Sequence, residues 1–292
     1  MTGKLESRCL AVGPGWFVQD VICSAGPQDS SFGEQHATVA IAAVLSGTFI
    51  YRTAQGSGLL PPGAVLLGNH GRCFECSHEH AAGDHCVSFH FTPDYWEEIA
   101  TAVPGIRKTI FKLSHLPPMA GLLPVIAAID AARQIDQKAM EELALDFAGS
   151  ALRLASDDPR PVLRKPRAFD ERRVTAAVRF LESTALDLDE KRLSLGALAK
   201  EVGMSRFHFL RTFRDLVGMT PHQYLLHLRM NKAATDLRVT DEPVTAIALS
   251  AGFNDLSTFS RRFRRLMGVS PAAYRRGERA FLLAERLQSS RK

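Results

Sequence analysis

The sequence predicts a multidomain α+β protein, with a β-rich N-terminal half and an all-α C-terminal half. Three observations lead to this prediction: short β-branched and aromatic runs before residue 115, a proline-rich segment near residue 160, and a helical unit that occurs twice after residue 190. The chain has 292 residues, which is enough for roughly two domains. Hydrophobic residues make up 46% and charged residues 23%, so bulk disorder is excluded.

Short runs interrupted by glycine and proline fill the first 115 residues. Residues 39–44, 47–52 and 87–91 are rich in β-branched and aromatic side chains, which is typical of strands in an all-β unit. Residues 120–156 change to helical spacing and carry an apolar stripe. The stripe consists of Ile126, Ile129, Leu143, Phe147 and Leu152.

A proline-rich segment separates the two halves. Pro159, Pro161 and Pro166 lie within eight positions of one another and lack the N–H donors that a helix interior needs. We therefore predict an N-terminal domain at residues 1–157, a linker at 158–171 and a C-terminal domain at 172–280.

The C-terminal half contains one unit twice. Five positions recur at an offset of 49 residues, and four more recur at an offset of 50. The first copy has Leu195, Leu198, Ala199, Val202, Gly203, Phe209, Phe213, Gly218 and Pro221. The second copy has Val244, Ile247, Ala248, Ala251, Gly252, Phe259, Phe263, Gly268 and Pro271.

Each copy has the pattern of a helix, a tight turn and a second helix. Ser194 is suited to cap the first helix, and Gly203 permits the left-handed backbone that ends it. Ser205 is suited to cap the second helix, and we expect Asn254 to do the same in the second copy.

The two copies are therefore predicted to be helix-turn-helix units, at about residues 194–215 and 243–265. A longer helix at residues 220–237 joins them. A helical bundle with no nucleic-acid role is the alternative, but the duplication inside a basic region argues against it.

The charge of the chain is unevenly distributed. Residues 1–160 hold 11 Lys and Arg against 17 Asp and Glu, whereas residues 161–292 hold 25 against 14. The two parts thus carry net charges of −6 and +11. A basic domain with two helix-turn-helix units favours a polyanionic partner, and we predict that this partner is double-stranded DNA.

The second helix of each unit supplies the residues expected to contact DNA. An arginine can donate two hydrogen bonds to guanine, and we assign base reading principally to Arg211 and Arg261. The residues expected to assist them are Phe207, Leu210, Leu256, Ser257 and Ser260. Four further arginines contact phosphate or remain solvated: Arg206, Arg262, Arg264 and Arg265. The two units would enter successive major grooves about 34 Å apart.

A longer pattern runs through both units and the helix between them. It comprises Leu195-x-x-Leu198-Ala199, Gly203, Phe213, Gly218-x-x-Pro221-x-x-Tyr224, Arg229, Ala233, Ile247-Ala248-x-x-x-Gly252-Phe253, Phe259-x-x-x-Phe263 and Gly268-x-Ser270-Pro271-x-x-Tyr274-Arg275. This pattern, which spans about a hundred residues, resembles the AraC/XylS transcriptional regulators. The resemblance implies a sequence-specific transcriptional regulator, often an activator that works with RNA polymerase. Leu210 stands where many relatives have a polar residue that contacts bases, so the DNA sequence preference cannot be carried over. Thr258 stands where the family usually has an aromatic residue, which mainly concerns packing.

The same resemblance implies the architecture of the N-terminal half. Sensor domains of this family are commonly cupin-like β-barrels followed by a pair of dimerisation helices. Residues 1–115 would form the barrel and residues 120–156 the dimerisation segment of a homodimer. The effector would be a small molecule, a metal ion or a redox state.

Cysteine and histidine residues cluster before residue 90. Cys76, His78 and His80 alternate, so on a strand they would face one side, and a turn at residues 81–85 would bring Cys86 opposite His80. Two thiolates and two imidazoles suit a tetrahedral zinc site, and the sulfur ligands would also admit Cu(I). A thiol redox sensor is an alternative, as is a set of side chains that merely fills a barrel.

The other cysteines predict no disulfide framework. Five cysteines are too few and too unevenly placed for one, and Cys9 and Cys23 are expected to be isolated core residues. The chain has no run of 18 apolar residues and no secretory signal pattern at its start, so we expect a cytoplasmic protein with no membrane partner.

Enzymatic activity is not expected. A cupin-type metal-dependent enzyme fused to a DNA-binding domain is the alternative function, and Glu75, Glu79 or Asp84 could supply an acid or base for it. Four protein ligands with two sulfurs would instead form a closed site. Phosphate-binding loops and nucleophile elbows are missing from the sequence.

Overall fold

The computed structural model describes residues 5–106, 108–135, 140–156, 167–186 and 192–277. Within this part of the chain, no helix is long and apolar enough to cross a membrane. Most of the predicted linker, up to residue 166, lies outside the described residues.

Antiparallel strands make up most of the N-terminal half. The strands are β1 (Leu5–Gly13), β2 (Trp16–Cys23), β3 (Phe32–Gln35), β4 (Val39–Gly47), β5 (Phe49–Thr53), β6 (Gly56–Leu60), β7 (Val65–Gly68), β8 (Cys73–Ser77), β9 (Asp84–Phe91) and β10 (His115–Leu116). Strands β4, β5 and β9 confirm the three predicted strand segments.

The strands form two hydrogen-bonded sheets. The larger has the order β1-β2-β9-β4-β7-β10, and the smaller has the order β3-β8-β5-β6. In the described residues the two sheets do not join into one closed barrel, which differs from the barrel that the family resemblance implied. The N-terminal half is thus β-rich, and its sheets face each other across a shared core.

The core between the sheets draws residues from both. Ala42 and Val44 of β4 contribute from the larger sheet, while Tyr51 of β5 and Leu60 of β6 contribute from the smaller one. Cys76 of β8 and Cys86 of β9 belong to the same core. Alternate residues of each strand point to opposite faces, so every second residue is available for another layer.

Three helices cover the outer face of the larger sheet. They are α1 (Pro93–Ala102), α2 (Leu123–Ile135) and α3 (Met140–Ser156). Ile41 and Phe89 of the sheet share a core with Ile126 of α2 and Phe147 of α3. Helices α2 and α3 confirm the helical spacing predicted for residues 120–156, whereas α1 lies in the part of the chain that was predicted to be all-β.

The C-terminal half is helical throughout its described residues. The helices are α4 (Ala168–Thr184), α5 (Leu195–Glu201), α6 (Arg206–Val217), α7 (Pro221–Val239), α8 (Val244–Ser250), α9 (Leu256–Met267) and α10 (Pro271–Arg275). Helix α4 begins inside the segment predicted as linker, since residues 168–171 already form its first turn. Helix pairs α5–α6 and α8–α9 confirm the two predicted helix-turn-helix units, and α7 confirms the longer helix between them.

The turns inside both units have the predicted backbone. Gly203 and Gly252 adopt φ values of +63° and +77°, in the left-handed region that favours glycine. The Ser205 hydroxyl accepts a hydrogen bond from the backbone N–H of His208 at 3.3 Å and so caps α6. In the second unit the cap is Asp255 and not Asn254 as predicted, because the inserted residue moves the helix start by one position.

The two halves of the chain share apolar cores. Ile50 and Leu59, on the outer face of the smaller sheet, pack into the core of the first helix-turn-helix unit. On the other side of the molecule, Leu123 and Ala127 of α2 pack into the core formed by α7 and the second unit. Both units therefore touch the β-rich half directly.

Candidate functional site

The second helices of the two units, α6 and α9, expose equivalent faces. On α6 this face, which we call face 1, consists of Phe207, Leu210, Arg211 and Arg214. On α9 the equivalent face 2 consists of Ser257, Ser260, Arg261 and Arg264. Each set has the spacing of one helix side, and each residue of face 2 lies 50 positions after its counterpart on face 1.

Paired phenylalanines anchor the opposite side of each helix. Phe209 and Phe213 are fully buried on α6, with ring centroids 5.5 Å apart. Phe259 and Phe263 are fully buried on α9, and their centroids are also 5.5 Å apart. Because the inward sides match, both helices are held with their polar sides directed to solvent.

Face 1 combines arginine with apolar side chains. The Phe207 side chain is 89% exposed, and a phenylalanine so exposed beside an arginine is available to contact a thymine methyl group. Arg211 and Arg214 are exposed, and Leu210 is half-buried. The Arg206 side chain lies off this face and packs against Gly196 of α5. Its Nε atom would be only 3.0 Å from a Cβ atom placed on that glycine. The Arg206 side chain therefore spans the two helices of the first unit.

Face 2 is more polar and lies within a wider basic surface. Arg261 is exposed, and its Nη2 atom donates a hydrogen bond to Thr258 Oγ1 at 3.4 Å. Leu256 and Ser257 are exposed at the start of the helix, and Ser260 is half-buried. Arg262, Arg264 and Arg265 are exposed beside this face. All the residues predicted to contact DNA thus reach the surface at least in part.

A buried arginine on α7 connects the end of α4 with the second unit, a role that the sequence pattern does not predict. Arg229 Nε donates a hydrogen bond of 2.7 Å to the backbone carbonyl of Ala185, which follows α4. On its other side, a Cβ atom on Gly252 would lie 2.7 Å from the Arg229 guanidinium carbon. Arg229 therefore fills the space between the turn of the second unit and the end of α4, and helps to fix their relative position.

The four predicted zinc ligands do not converge. Cys76 lies on β8 and Cys86 on β9, which belong to different sheets, so the predicted hairpin between them is wrong. Strand β8 pairs with β3 and β5, while β9 pairs with β2 and β4. His78 and His80 follow β8 instead of continuing it, and the His80 ring lies 3.9 Å from Glu171 of α4.

A different set of potential ligands does converge. The ligand atoms of Cys23, His78 and Asp84 all lie within 4.8 Å of one another. His78 Nε2 is 2.6 Å from Asp84 Oδ1, and Cys86 Sγ donates a hydrogen bond to Asp84 Oδ2 at 3.2 Å. Cys23 comes from the end of β2, far from the others in sequence, and the sequence analysis had assigned it to the core.

His78 and two nearby thiols have shifted pKa values. Burial acts to lower the pKa of His78, but its hydrogen bonds to Asp84 and Cys23 outweigh burial and raise the pKa to about 9. Burial, followed by the charge of Asp84, raises the pKa of the Cys76 and Cys86 thiols. Without an ion, the protonated His78 ring is therefore hydrogen-bonded to Asp84, and the nearby Cys76 and Cys86 thiols stay protonated.

The C-terminal half is similar to known DNA-binding proteins. A helix-turn-helix domain family matches residues 198–277. Over 108 residues the chain is 36% identical to the MmsAB operon regulatory protein of Pseudomonas aeruginosa. This match covers 34% of this chain and 35% of that protein. Over 84 residues it is 38% identical to the HTH-type transcriptional activator AarP of Providencia stuartii. This match covers 29% of this chain and 62% of that protein.

Among solved structures, a transcriptional regulator from Chromobacterium violaceum, described as containing an AraC-type DNA-binding domain, is 31% identical. The match covers 40% of this chain and 99% of that one, with a TM-score of 0.34. The chain spans about a third of the length of the Pseudomonas relative and less than two thirds of the Providencia relative.

The geometry of the C-terminal half defines a double helix-turn-helix domain with two basic recognition helices. The family match falls on these same helices. The C-terminal half of this chain is therefore similar to the helix-turn-helix domains of transcriptional regulators.

Proposed function

We propose that this protein is a sequence-specific transcriptional regulator that inserts α6 and α9 into successive major grooves of double-stranded DNA. The observation that carries the proposal is the equivalence of face 1 and face 2. Two identically anchored helices present arginine at the same position, as Arg211 and Arg261, in a region of net charge +11. A helical scaffold without a nucleic-acid partner would not need to keep an arginine exposed at the same position of both helices.

The positions of the arginines on α6 and α9 determine which of them would contact bases and which would contact phosphate. Arg211 and Arg261 lie in the middle of their exposed faces, where a side chain can reach base edges. Arg264 and Arg265 lie near the end of α9, where contact with phosphate is geometrically easier. The side chains of Ser205 and Asp255 cap the starts of α6 and α9, and we assign no base contact to them.

We also propose that the N-terminal half is a cupin-like regulatory domain that responds to an effector. The support is its direct packing on both DNA-binding units. Gly63, with φ of +88°, lies against α7 so closely that a Cβ atom there would be 2.7 Å from His227 Nε2. Likewise, a Cβ atom on Gly218 would be 2.7 Å from Pro117 Cβ. A change in the β-rich half would therefore move atoms in the DNA-binding half.

Homodimerisation through residues 120–156 stays a prediction, and the enclosure of α2 limits how it could occur. One side of α2 packs on the larger sheet and the other packs on α7. Among the residues of this segment whose burial the structure describes, Leu145 of α3 is the exposed large apolar side chain, so a dimer would use α3. Sedimentation of the wild type and of Leu145→Glu tests this contact.

The DNA-binding proposal is tested by selecting target sequences from a random DNA library with the full chain and then titrating the selected site. Arg211→Ala and Arg261→Ala should each weaken binding to that site by roughly 1–3 kcal/mol and relax the preference at one base position. The matched control is Arg72→Ala, because Arg72 is an exposed arginine on the β-rich half. Wild-type affinity in both recognition-helix variants would refute these base-reading assignments, and failure to select any site would refute the proposal itself.

A further inference from the structure

We propose that Cys23, His78 and Asp84 form a zinc site, and that the bound ion controls how tightly residues 78–84 hold helix α4. The first part concerns metal binding alone. The second part rests on the proposed function, since α4 is the first helix of the DNA-binding half. The site differs from the one predicted from the sequence in all of its ligands except His78.

The distances suit a tetrahedral ion. With bonds of about 2.0 Å to nitrogen and oxygen and about 2.3 Å to sulfur, neighbouring ligand atoms around zinc lie roughly 3.5 Å apart. The three ligand atoms here lie within 4.8 Å of one another, and the shortest separation is 2.6 Å between His78 Nε2 and Asp84 Oδ1. Shifts of about 1 Å would therefore accommodate the ion.

The charges of the three ligands also suit a divalent cation. A Cys23 thiolate and the Asp84 carboxylate together balance two positive charges, and His78 binds as a neutral ring. As zinc binds, the Cys23 thiol and the protonated His78 ring each release a proton to solvent, and the Cys23 sulfur–zinc and His78 nitrogen–zinc bonds form. The site is enclosed, since the side chains of His78 and Asp84 are only 2% and 8% exposed.

A second shell is already in place. Cys86 Sγ donates a hydrogen bond to Asp84 Oδ2 at 3.2 Å, which leaves Oδ1 directed toward His78. Such contacts orient a ligating carboxylate and raise the affinity for the metal. Three protein ligands leave a fourth position, which water or an external ligand would complete.

Two of the ligands are the ends of one short segment, residues 78–84. Inside the segment, the carbonyl of Ala82 accepts a hydrogen bond from Arg179, and that of Gly83 accepts one from Arg179 Nη2 at 3.3 Å. His80 Nε2 lies 3.9 Å from Glu171 Oε2. Both Arg179 and Glu171 belong to α4. An ion that binds both ends of the segment would fix the conformation of residues 78–84. It would therefore stabilise the contacts of these residues with α4.

A neighbouring contact extends this attachment. The backbone N–H of Gly47, at the end of β4, donates a hydrogen bond of 2.9 Å to Glu182 Oε1 of α4. Gly47 adopts φ of +75° and leaves no room for a Cβ atom beside the backbone of Gly83 and Asp84. The ligand-bearing segment and the end of β4 thus hold α4 along one side.

Zinc binding to the full chain, purified under reducing conditions, tests the site. Titration with zinc alone, followed by calorimetry and elemental mass spectrometry, should give about one tightly bound zinc per chain for the wild type. Cys23→Ser and Asp84→Asn should lose this zinc, whereas Cys9→Ser and Cys73→Ser, which change exposed cysteines, should retain it. Absence of zinc binding by the wild type, or equal binding by Cys23→Ser and Cys73→Ser, would overturn the proposal.

Cobalt substitution identifies the sulfur ligand independently of how well each variant binds zinc. The wild type loaded with Co²⁺ should show thiolate-to-metal charge-transfer absorption, and Cys23→Ser should lose it while its thermal unfolding stays cooperative. If the absorption persists in Cys23→Ser and disappears in Cys76→Ser or Cys86→Ser, another thiolate is the ligand and the proposed set is wrong.

Hydrogen exchange of the α4 amides tests the coupling without using DNA. Zinc should slow exchange in α4 of the wild type and have no such effect in Cys23→Ser or in Arg179→Ala. Unchanged exchange in the zinc-loaded wild type would overturn the coupling. A protein that binds zinc and protects α4 but selects no DNA site would instead contradict the proposed function, so the two failures are distinguishable.

Discussion

The two recognition helices share a backbone design but differ in chemistry and in their neighbours. Helix α6 exposes Phe207 and Leu210 beside Arg211, and its unit packs against Ile50 and Leu59 of the smaller sheet. Helix α9 exposes serines beside Arg261, is flanked by further arginines, and its unit packs against α2.

This difference shows that duplication fixed the geometry of the two units and left their surfaces free to diverge. The first unit is the one that packs against α4, and α4 in turn contacts the segment that carries His78 and Asp84. Its apolar face suits a more selective contact with thymine methyl groups. The second unit, with four exposed arginines on α9, suits a stronger and more salt-dependent contact with DNA.

The largest expected effect comes from removing the matched anchors. Phe213→Ala and Phe263→Ala each empty a fully buried site and should each lower the free energy of unfolding by about 3–5 kcal/mol. Urea unfolding of the two variants measures the loss. A loss below about 1 kcal/mol in one of them would show that the two units are not equivalently packed.

A pH-dependent effect is expected on the helix that joins the units. Burial lowers the pKa of His227 to about 4, so the folded protein keeps this ring neutral while the unfolded chain protonates near its ordinary pKa of about 6.5. The contribution of neutral His227 to stability is complete above about pH 6.5 and falls as the pH drops toward 4, by roughly 2 kcal/mol at pH 5.

Urea unfolding at pH 7 and pH 5 measures this fall. His227→Gln should show a smaller loss between the two pH values than the wild type. Some loss should remain in the variant, because burial also lowers the pKa values of His36 and His90 to about 4. Identical losses in the variant and the wild type would contradict the assignment to His227.

A third effect separates base reading from phosphate contact on the two helices. Arg265→Ala should weaken binding about equally on all DNA sequences and reduce the salt slope by about 1. Phe207→Ala should leave the salt slope unchanged and lose roughly 1–3 kcal/mol of discrimination at one base pair of the first half-site. Titrations at several salt concentrations on matched and mismatched DNA distinguish the two, and a sequence-specific effect of Arg265→Ala would contradict this division.

The smallest expected effect concerns the start of α6. Ser205→Ala removes the side-chain oxygen that caps the helix and should lower the free energy of unfolding by about 1 kcal/mol. Ser257→Ala is the matched control, because Ser257 is an exposed serine that follows the cap of α9, and its change should stay within about 0.5 kcal/mol. A control variant as unstable as Ser205→Ala would argue that capping does not explain the loss.

The helical half was predictable from the sequence because its determinants are local. Periodic apolar residues, capping hydroxyls and turn glycines lie within a few positions of the elements that they define, and the offset of about 50 residues made the duplication visible. The error at Asn254 arose from one inserted residue. The cap moved to Asp255 because the carboxylate of Asp255 can accept from two helix N–H groups, at 3.0 and 2.8 Å.

The arrangement of the β-rich half was not predictable in the same way, because strand pairing is non-local. Composition predicted that residues 87–91 form a strand, but nothing in the sequence shows that β8 pairs with β3 and β5 instead of with β9. Cys23 reaches His78 only because β2 lies beside β9 in the larger sheet. The position of Asp84 near the cysteines and histidines can be seen in the sequence, but it predicts a possible catalytic acid or base and not a metal ligand.

Helix α2 has a consequence for any attempt to isolate the DNA-binding half by proteolysis or truncation. Leu123 and Ala127 complete an apolar core whose other members include Met230, Ala233 and Ala234. A fragment that begins at residue 167 would lose those two side chains and leave the apolar face of α7 open to water. Such a fragment should be prone to self-association. Its solubility would improve if the alanines of α7 that become exposed when α2 is removed were replaced by polar residues.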